Sequence, residues 1–197
     1  MSPSRADTSH AAVSQLVESL LAMQDVEGSS PFSRSMGKVI WLTGLPCSGK
    51  TTIAKVIVER TGAEFLDGDD LRDSDFSKGI GFTPEERKRH LLRVGYLAKR
   101  LSKYNDVICS FVSPAKDVRE QLPVDIMVYV KCPVSVCAER DVKGMYAKAN
   151  RGEIKNFTGI SAPYQAPEDP DVTVETDKET LEESVQKVLE AISAPVV

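Results

Sequence analysis

From Lys38 onward the chain alternates between short apolar runs and longer stretches whose apolar residues recur at helical spacing. "KVIWLT" (38–43), "DVICSF" (106–111) and "DIMVYV" (125–130) are nearly continuous apolar runs, as expected of strands buried on both faces of a parallel sheet. "AEFLD" (63–67) and "DVTVET" (171–176) are shorter candidates for a second and a fifth strand. Between them the pattern predicts a helix from the end of "GKTT" to about Arg60. A second helix, over 84–103, opens on Thr83-Pro84-Glu85-Glu86 with Thr as cap and Pro in the first turn. It sets Leu91, Val94, Ala98 and Leu101 on one face. A final amphipathic helix over 178–192 turns Leu181, Val185, Val188, Leu189 and Ile192 inward. Strands alternating with helices predict a three-layer α/β/α fold with a central parallel sheet, whose ligands sit at the carboxyl ends of the strands.

Ahead of this domain, Val13, Leu16, Val17, Leu20 and Leu21 share one helical face, and "EGSSPFSRSMG" (27–37) reads as a linker. The expected organisation is an N-terminal helix and linker over 1–37, then one domain over 38–197. The 197 residues, 41% hydrophobic and 27% charged, suffice for one domain with a sizeable core. A net charge of −4 and a pI of about 5.3 supply no overall field toward nucleic acid or anionic membranes. No run reaches the ~20 apolar residues of a membrane span. Acidic Asp7, Glu18 and Asp25 argue against a signal or transit peptide, so the expected setting is cytoplasmic, with neither nucleic acid nor membrane as partner.

The four cysteines form no CxxC pair, and with only His10 and His90 there is no zinc signature. Cys109 and Cys132 fall in or beside apolar runs and read as reduced core residues. Cys47 is either a small filler or a redox-sensitive thiol whose pKa is lowered by electropositive surroundings.

Cys47 lies in the stretch that carries the chemistry. "WLTGLPCSGKTT" (41–52) places Gly44, then Leu45, Pro46, Cys47 and Ser48, then Gly49-Lys50-Thr51-Thr52, between an apolar strand and a helix. The glycines let the backbone fold so that several N–H groups point at phosphate oxygens, and the helix adds its positive end. Lys50 reaches the β- and γ-phosphates and Thr51 offers its hydroxyl to Mg²⁺. The implied ligands are ATP and Mg²⁺. A second magnesium anchor is usually an Asp at the end of a later strand, yet "DVICSF" ends in Ser110-Phe111 and "DIMVYV" runs into Lys131. The acids sit instead at "LDGDD". In an extended segment Asp67 and Asp69 face the same way; Asp67 would hold Mg²⁺ and Asp69 would orient an acceptor hydroxyl and take its proton. That arrangement favours a small-molecule kinase, and no Asn-Lys-x-Asp guanine motif is present.

Local charge describes the acceptor. Residues 64–75 hold six acids against Arg72, whereas residues 85–103 hold seven bases against Glu85 and Glu86. Arg72 and Arg87 follow loops that face the site, and a guanidinium fork suits phosphate or sulfate oxygens, so the acceptor is expected to be anionic. "RDVKGMYAKANRGEIKNFTGISAPYQAP" (140–167) is too polar and glycine-dotted for a core element. It carries Lys143, Lys148, Arg151 and Lys155 and reads as a mobile basic lid over about 141–167. Phe82 and Phe157 are aromatics in polar loops, where a purine stack and local packing are both open readings.

Together "GLPCSGKTT", "FLDGDDLR", "SFVSP" (110–114) and the lid block resemble the adenylylsulfate kinase family of P-loop kinases from about Lys38 to Ile192. The resemblance implies ATP-dependent phosphorylation of the 3′-hydroxyl of adenosine 5′-phosphosulfate, within sulfate activation. It implies that Arg72 and Arg87 contact the phosphosulfate nucleotide, that Phe82 and Phe157 sandwich its adenine, and that Val112 and Ser113 line that pocket. Lys143 and Lys155, with Thr158, match acceptor-binding lid positions, and Arg140 lies at the lid hinge on the nucleotide side. Asp67 and Asp69 match the magnesium and acceptor-hydroxyl carboxylates. A homodimer is the family's habit, and a sulfate adenylyltransferase is a further expected partner. The chain departs from the pattern at Asp70, where Asn is common, at His90 in place of an acceptor-contacting Asn, at Leu92 in place of Arg and at Ala115 in place of Tyr. Two alternatives stand beside this reading: a related kinase for another anionic nucleotide, and a non-catalytic kinase-like partner of a sulfate adenylyltransferase.

Overall fold

The computed structural model of the chain describes residues 36–194; the expected helix over 11–24, and its linker up to residue 35, lie outside the described residues. The described residues fall into two units, Met36–Gly68 together with the chain from Ile80 onward, and the short stretch Asp69–Gly79.

The larger unit is built on five strands: β1 (Val39–Thr43), β2 (Glu64–Asp67), β3 (Val107–Ser110), β4 (Ile126–Lys131) and β5 (Val172–Glu175). They pair in the order β2-β3-β1-β4-β5, every neighbour parallel. All five residues of β1 and all four of β3 are buried, which is why these segments are apolar runs without alternation. The edge strand β5 buries only Val174, and its sequence alternates accordingly.

The strand order fixes where a ligand can sit. The connection after β1 runs past β3 to β2, while that after β3 runs past β1 to β4. With right-handed crossovers the two connections lie on opposite faces, and a crevice opens at the carboxyl ends of the adjacent strands β1 and β3. On one face, α1 (Lys50–Thr61) and the last helix (Leu181–Ser193) join Ile40, Leu42, Ile108, Val128, Val130 and Val174 in the main core. The helix Pro84–Leu101 packs against β2 and β3 and buries His90, Leu91, Val94, Ala98 and Leu101. The helix Pro84–Leu101 starts on the residues expected, Thr83 accepting from the Glu86 N–H and Glu86 reaching back to the Thr83 N–H, whereas the last helix, expected from 178, begins at Leu181. Thr180 and Glu183 repeat the arrangement. Each such cap stabilises its helix by about 1 kcal/mol.

Three short helices sit where the sequence pattern predicts none: Lys116–Arg119, Val134–Glu139 and Met145–Asn150. The last corrects the reading of the lid as too polar to hold a core element. Tyr146 and Ala149, one helical turn apart, meet Cys132, Cys137 and Phe157 in a second buried cluster, with Leu45 and Cys47 packed against it. Few apolar residues are needed because Tyr146 and Phe157 are large and meet edge to face, ring centroids 4.9 Å apart.

The smaller unit takes up the helix Gly68–Arg72 from its second residue, followed by a bend and a single 3₁₀ turn, Asp75–Ser77. The Ser74 and Ser77 hydroxyls both donate to the Leu71 carbonyl and close it.

Candidate active site

The loop between β1 and α1 has the geometry its glycines demand. A Cβ at Gly44 would strike the Val130 carbonyl oxygen and lie 2.9 Å from Ser48 Oγ, so no other residue fits. Gly49 takes φ 100°, a left-handed value. Cys47, at φ 61°, is left-handed without being glycine and is half-buried; holding it there costs of order 1 kcal/mol. Lys50 Nζ donates to the Leu45 carbonyl at 2.6 Å and approaches Ser48 Oγ at 3.5 Å, so the ammonium is held directly above the loop.

Thr51, the first hydroxyl of α1, donates to Asp67 Oδ2 at 2.8 Å and lies 3.2 Å from Ser110 Oγ. Two strands and a helix thus converge: β2 delivers Asp67, β3 delivers Ser110 and α1 delivers Thr51. Ser110 was passed over in the sequence because it is not an acid. The structure nonetheless places its hydroxyl where the end of that strand meets the site.

The pairing of Asp67 with Asp69 changes form. β2 ends at Asp67 and a helix begins at Gly68, so the extended i, i+2 relation does not hold them on one face. Asp67 is buried, 7% exposed, while Asp69 lies exposed in the first turn of the short helix. Gly68 sits closely at the junction: a Cβ there would press on the Ser110 carbonyl oxygen and the Phe111 ring at 3.2 and 3.3 Å. Arg72 stands in the last turn of the same helix, half-buried.

On the outer side of the loop a cavity of about 420 Å³ is lined by Cys47, Gly49, Lys50, Thr51, Thr52 and Ile53 of the loop and α1, by Arg140 and Val142 at the lid's start, and by Thr176, Glu179, Leu181 and Ser184. Arg140 is held at its rim by Thr176, with Nη1 on the hydroxyl at 3.0 Å and Nη2 on the carbonyl oxygen at 2.7 Å. The same threonine hydroxyl donates to the Ser48 carbonyl at 2.8 Å.

Across β1, the segment after β3 forms the opposite wall. Trp41, fully buried and stacked on Phe111 at 5.1 Å, donates its indole N–H to Ser113 Oγ at 2.9 Å. Ser113 has φ 43°. Thr43 Oγ1 donates to the Val112 carbonyl at 2.8 Å and contacts the Tyr164 hydroxyl at 3.0 Å. Arg119, 6% exposed, donates to the carbonyls of Ser113 at 2.7 Å and Gln165 at 2.6 Å. It therefore ties this wall to the descending limb of the lid. Burial lowers the Arg119 pKa and pushes that of Tyr164 up to about 12, so the tyrosine stays neutral at any ordinary pH.

The lid meets the loop and the helix Pro84–Leu101 at two points. The Tyr146 hydroxyl donates to the Pro46 carbonyl at 2.9 Å. Arg87 donates to Thr158 Oγ1 at 2.9 Å, to the Asn156 carbonyl and, through Nε, to the Phe82 carbonyl at 2.9 Å, with its guanidinium 5.9 Å from the Phe82 ring centroid. Phe82 is 61% exposed and Phe157 only 5% exposed, so the two expected base-stacking aromatics stand in different environments. His90 is buried beside Phe111, with ring centroids 6.1 Å apart. Lys143 and Lys155 are exposed on the lid. Ser110, Arg119, Tyr164 and Thr176 escaped the sequence reading; for Thr176, its place at the carboxyl end of a strand was the available signal.

Comparison with known proteins gives a consistent result. The family model for adenylylsulphate kinase matches residues 36–175. The adenylyl-sulfate kinase of Halothermothrix orenii is 46% identical over 165 residues, covering 78% of this chain and 88% of that protein. A probable bifunctional SAT/APS kinase 2 of Sorangium cellulosum is 45% identical over 163 residues, of which this chain spans only 28% of the length. Among solved structures, the Mycobacterium tuberculosis APS kinase CysC in complex with AMPPNP and APS superposes with a TM-score of 0.77 at 31% identity, over 82% of this chain and 100% of that one.

Proposed function

Because the chain belongs to the adenylylsulphate kinase family, we propose that it transfers the γ-phosphoryl group of ATP to the 3′-hydroxyl of adenosine 5′-phosphosulfate, giving 3′-phosphoadenosine 5′-phosphosulfate. The observation that carries this reading is the lid block seated on the phosphate loop. The stretch least general to phosphate-loop proteins closes on Pro46 through Tyr146 and is fastened to the helix Pro84–Leu101 through Arg87.

In this reading ATP lies along the loop, its phosphates toward the loop N–H groups and Lys50 and its base toward the cavity at Arg140. The acceptor 3′-oxygen attacks the γ-phosphorus in line, the bond to the β,γ-bridging oxygen breaks, and ADP leaves. Asp69 accepts the hydroxyl proton. Lys50 shifts from the Leu45 carbonyl onto the transferring group and stabilises the charge that spreads over its oxygens. Magnesium fits the residues present: the Thr51 hydroxyl and Asp67 carboxylate are hard oxygen donors 2.8 Å apart. When bound, it neutralises charge on the β- and γ-phosphates.

Arg72 and Arg87 would take the anionic end of the acceptor, with Phe82, Phe157, His90, Val112, Ser113, Lys143, Lys155 and Thr158 around its nucleoside. The Val112–Ser113 wall and the Arg87–Thr158 bond support the acceptor lying on the side of β1 opposite the ATP cavity. A cytoplasmic homodimer and a sulfate adenylyltransferase partner belong to the same proposal, resting on the family resemblance. The test is a coupled assay of ADP formation with adenylylsulfate, AMP or no acceptor. The reading requires adenylylsulfate to be preferred and the product to carry its new phosphate on the 3′ position; equal turnover of AMP would refute it.

A further inference from the structure

Thr176 stands one residue past β5, outside the phosphate loop and the lid, and no step above uses it. Its hydroxyl nevertheless makes two bonds at once. It gives its proton to the Ser48 carbonyl at 2.8 Å and takes an N–H from Arg140 Nη1 at 3.0 Å. Its own carbonyl accepts Arg140 Nη2 at 2.7 Å, and its amide donates to the Lys131 carbonyl at 3.1 Å, which fixes it to the end of β4. Its methyl group faces Gly49, where a Cβ would lie 3.6 Å from Thr176 Cγ2.

The bond to Ser48 acts on the next residue. In a trans peptide the C=O and the following N–H share a plane and point in opposite directions. Drawing the Ser48 carbonyl outward to Thr176 therefore turns the Gly49 N–H the other way, into the loop where phosphate oxygens are received. Gly49 at φ 100° has no side chain to hold that plane, so an outside partner must. The same oxygen orients Arg140, which lines the cavity beside Thr176 and begins the lid.

We propose that Thr176 is a positioning residue for ATP: one hydroxyl sets the Ser48–Gly49 peptide for the phosphates and seats the Arg140 guanidinium at the rim of the same cavity. This rests on the cavity being the ATP site of the proposed function. Threonine suits both tasks because a hydroxyl donates and accepts together, whereas valine has the same shape and can do neither.

The experiment compares Thr176→Val and Thr176→Ser with the unaltered chain. Binding of ATP with Mg²⁺ is measured by calorimetry without acceptor, and KM for ATP and for adenylylsulfate in the coupled assay. Thr176→Val is expected to weaken ATP binding and raise the ATP KM by about tenfold, the loss of roughly 1.4 kcal/mol that one charge-assisted bond represents. The adenylylsulfate KM should stay within about twofold, and Thr176→Ser should bind ATP within about threefold of the unaltered chain. Unchanged ATP binding in Thr176→Val, equal defects in the Ser and Val variants, or an equal rise in both KM values would overturn the proposal. Since calorimetry needs no acceptor, a chain that fails to phosphorylate adenylylsulfate refutes the proposed function while leaving the Thr176 result readable.

Discussion

Asp67 and Asp69 show how far two residues with the same side chain can be set apart by one backbone junction. Asp67 ends a strand, is buried and accepts the Thr51 hydroxyl; Asp69 opens a helix and is exposed. The first suits a fixed anchor, the second a base that must reach a substrate and exchange its proton with water. Asp69→Asn should lower turnover by roughly 10²-fold or more while ATP affinity stays within about twofold, read from kcat and calorimetry. A small loss of kcat would restrict Asp69 to orienting the acceptor. The residue types at this site were legible because a phosphate loop must carry its glycines, Lys50 and Thr51 at fixed spacing. Ser110 and Thr176 were not, because hydroxyl side chains carry no spacing signal and gain meaning only when the sheet order brings strand ends together.

At the scale of elements, the lid departs most from its sequence pattern. Its charges suggest a solvated flap, yet Tyr146, Ala149 and Phe157 bury a satellite core with Cys132 and Cys137 beneath it. In sequence Phe157 is open to stacking on a purine and to packing alike; its 5% exposure makes packing part of its role. Phe157→Ala should therefore destabilise this cluster by about 3 kcal/mol, seen as a lower denaturation midpoint. A variant with unaltered stability and only a higher acceptor KM would restore the simple stacking role. The β4–β5 edge offers a second check. Glu175 accepts from Lys131 at 2.7 Å and from Lys178 at 3.0 Å, and these bonds lower its carboxyl pKa to about 2. A carboxyl lowered in the folded state stabilises it above the unfolded pKa, near 4.5, and loses that contribution as pH falls toward about 2. Glu175→Gln should thus be slightly less stable than the unaltered chain near neutral pH, with the gap closing through that acid window and shrinking in high salt. A gap that does not change between neutral and acid pH would remove the ion pairs as its cause. The three short helices went unread for a plain reason: runs of four to six residues are too brief to show a helical period.

For the molecule as a whole, the strand order does the decisive work. It places β1 between β3 and β4, so the phosphate loop opens beside Ser110 on one side and the lid's root on the other. Apolar strands alternating with helices made the parallel sheet legible, whereas the order of its strands depends on packing between distant segments. Binding of ATP with Mg²⁺ to the folded chain alone should raise the melting temperature. At a ligand concentration of about 100 times Kd the gain is about 2.7 kcal/mol, or roughly 5–10 °C for a domain of this size. No shift at millimolar nucleotide would refute the nucleotide site itself. The most direct test of the central claim is acceptor choice. With ATP and Mg²⁺ in excess, kcat/KM for ADP formation is measured with adenylylsulfate and with AMP, which lacks only the sulfate. The account predicts a preference for adenylylsulfate of about 10²-fold or more, with the new phosphate on the 3′-hydroxyl. Equal kcat/KM for the two, or ADP formation independent of either, would contradict it.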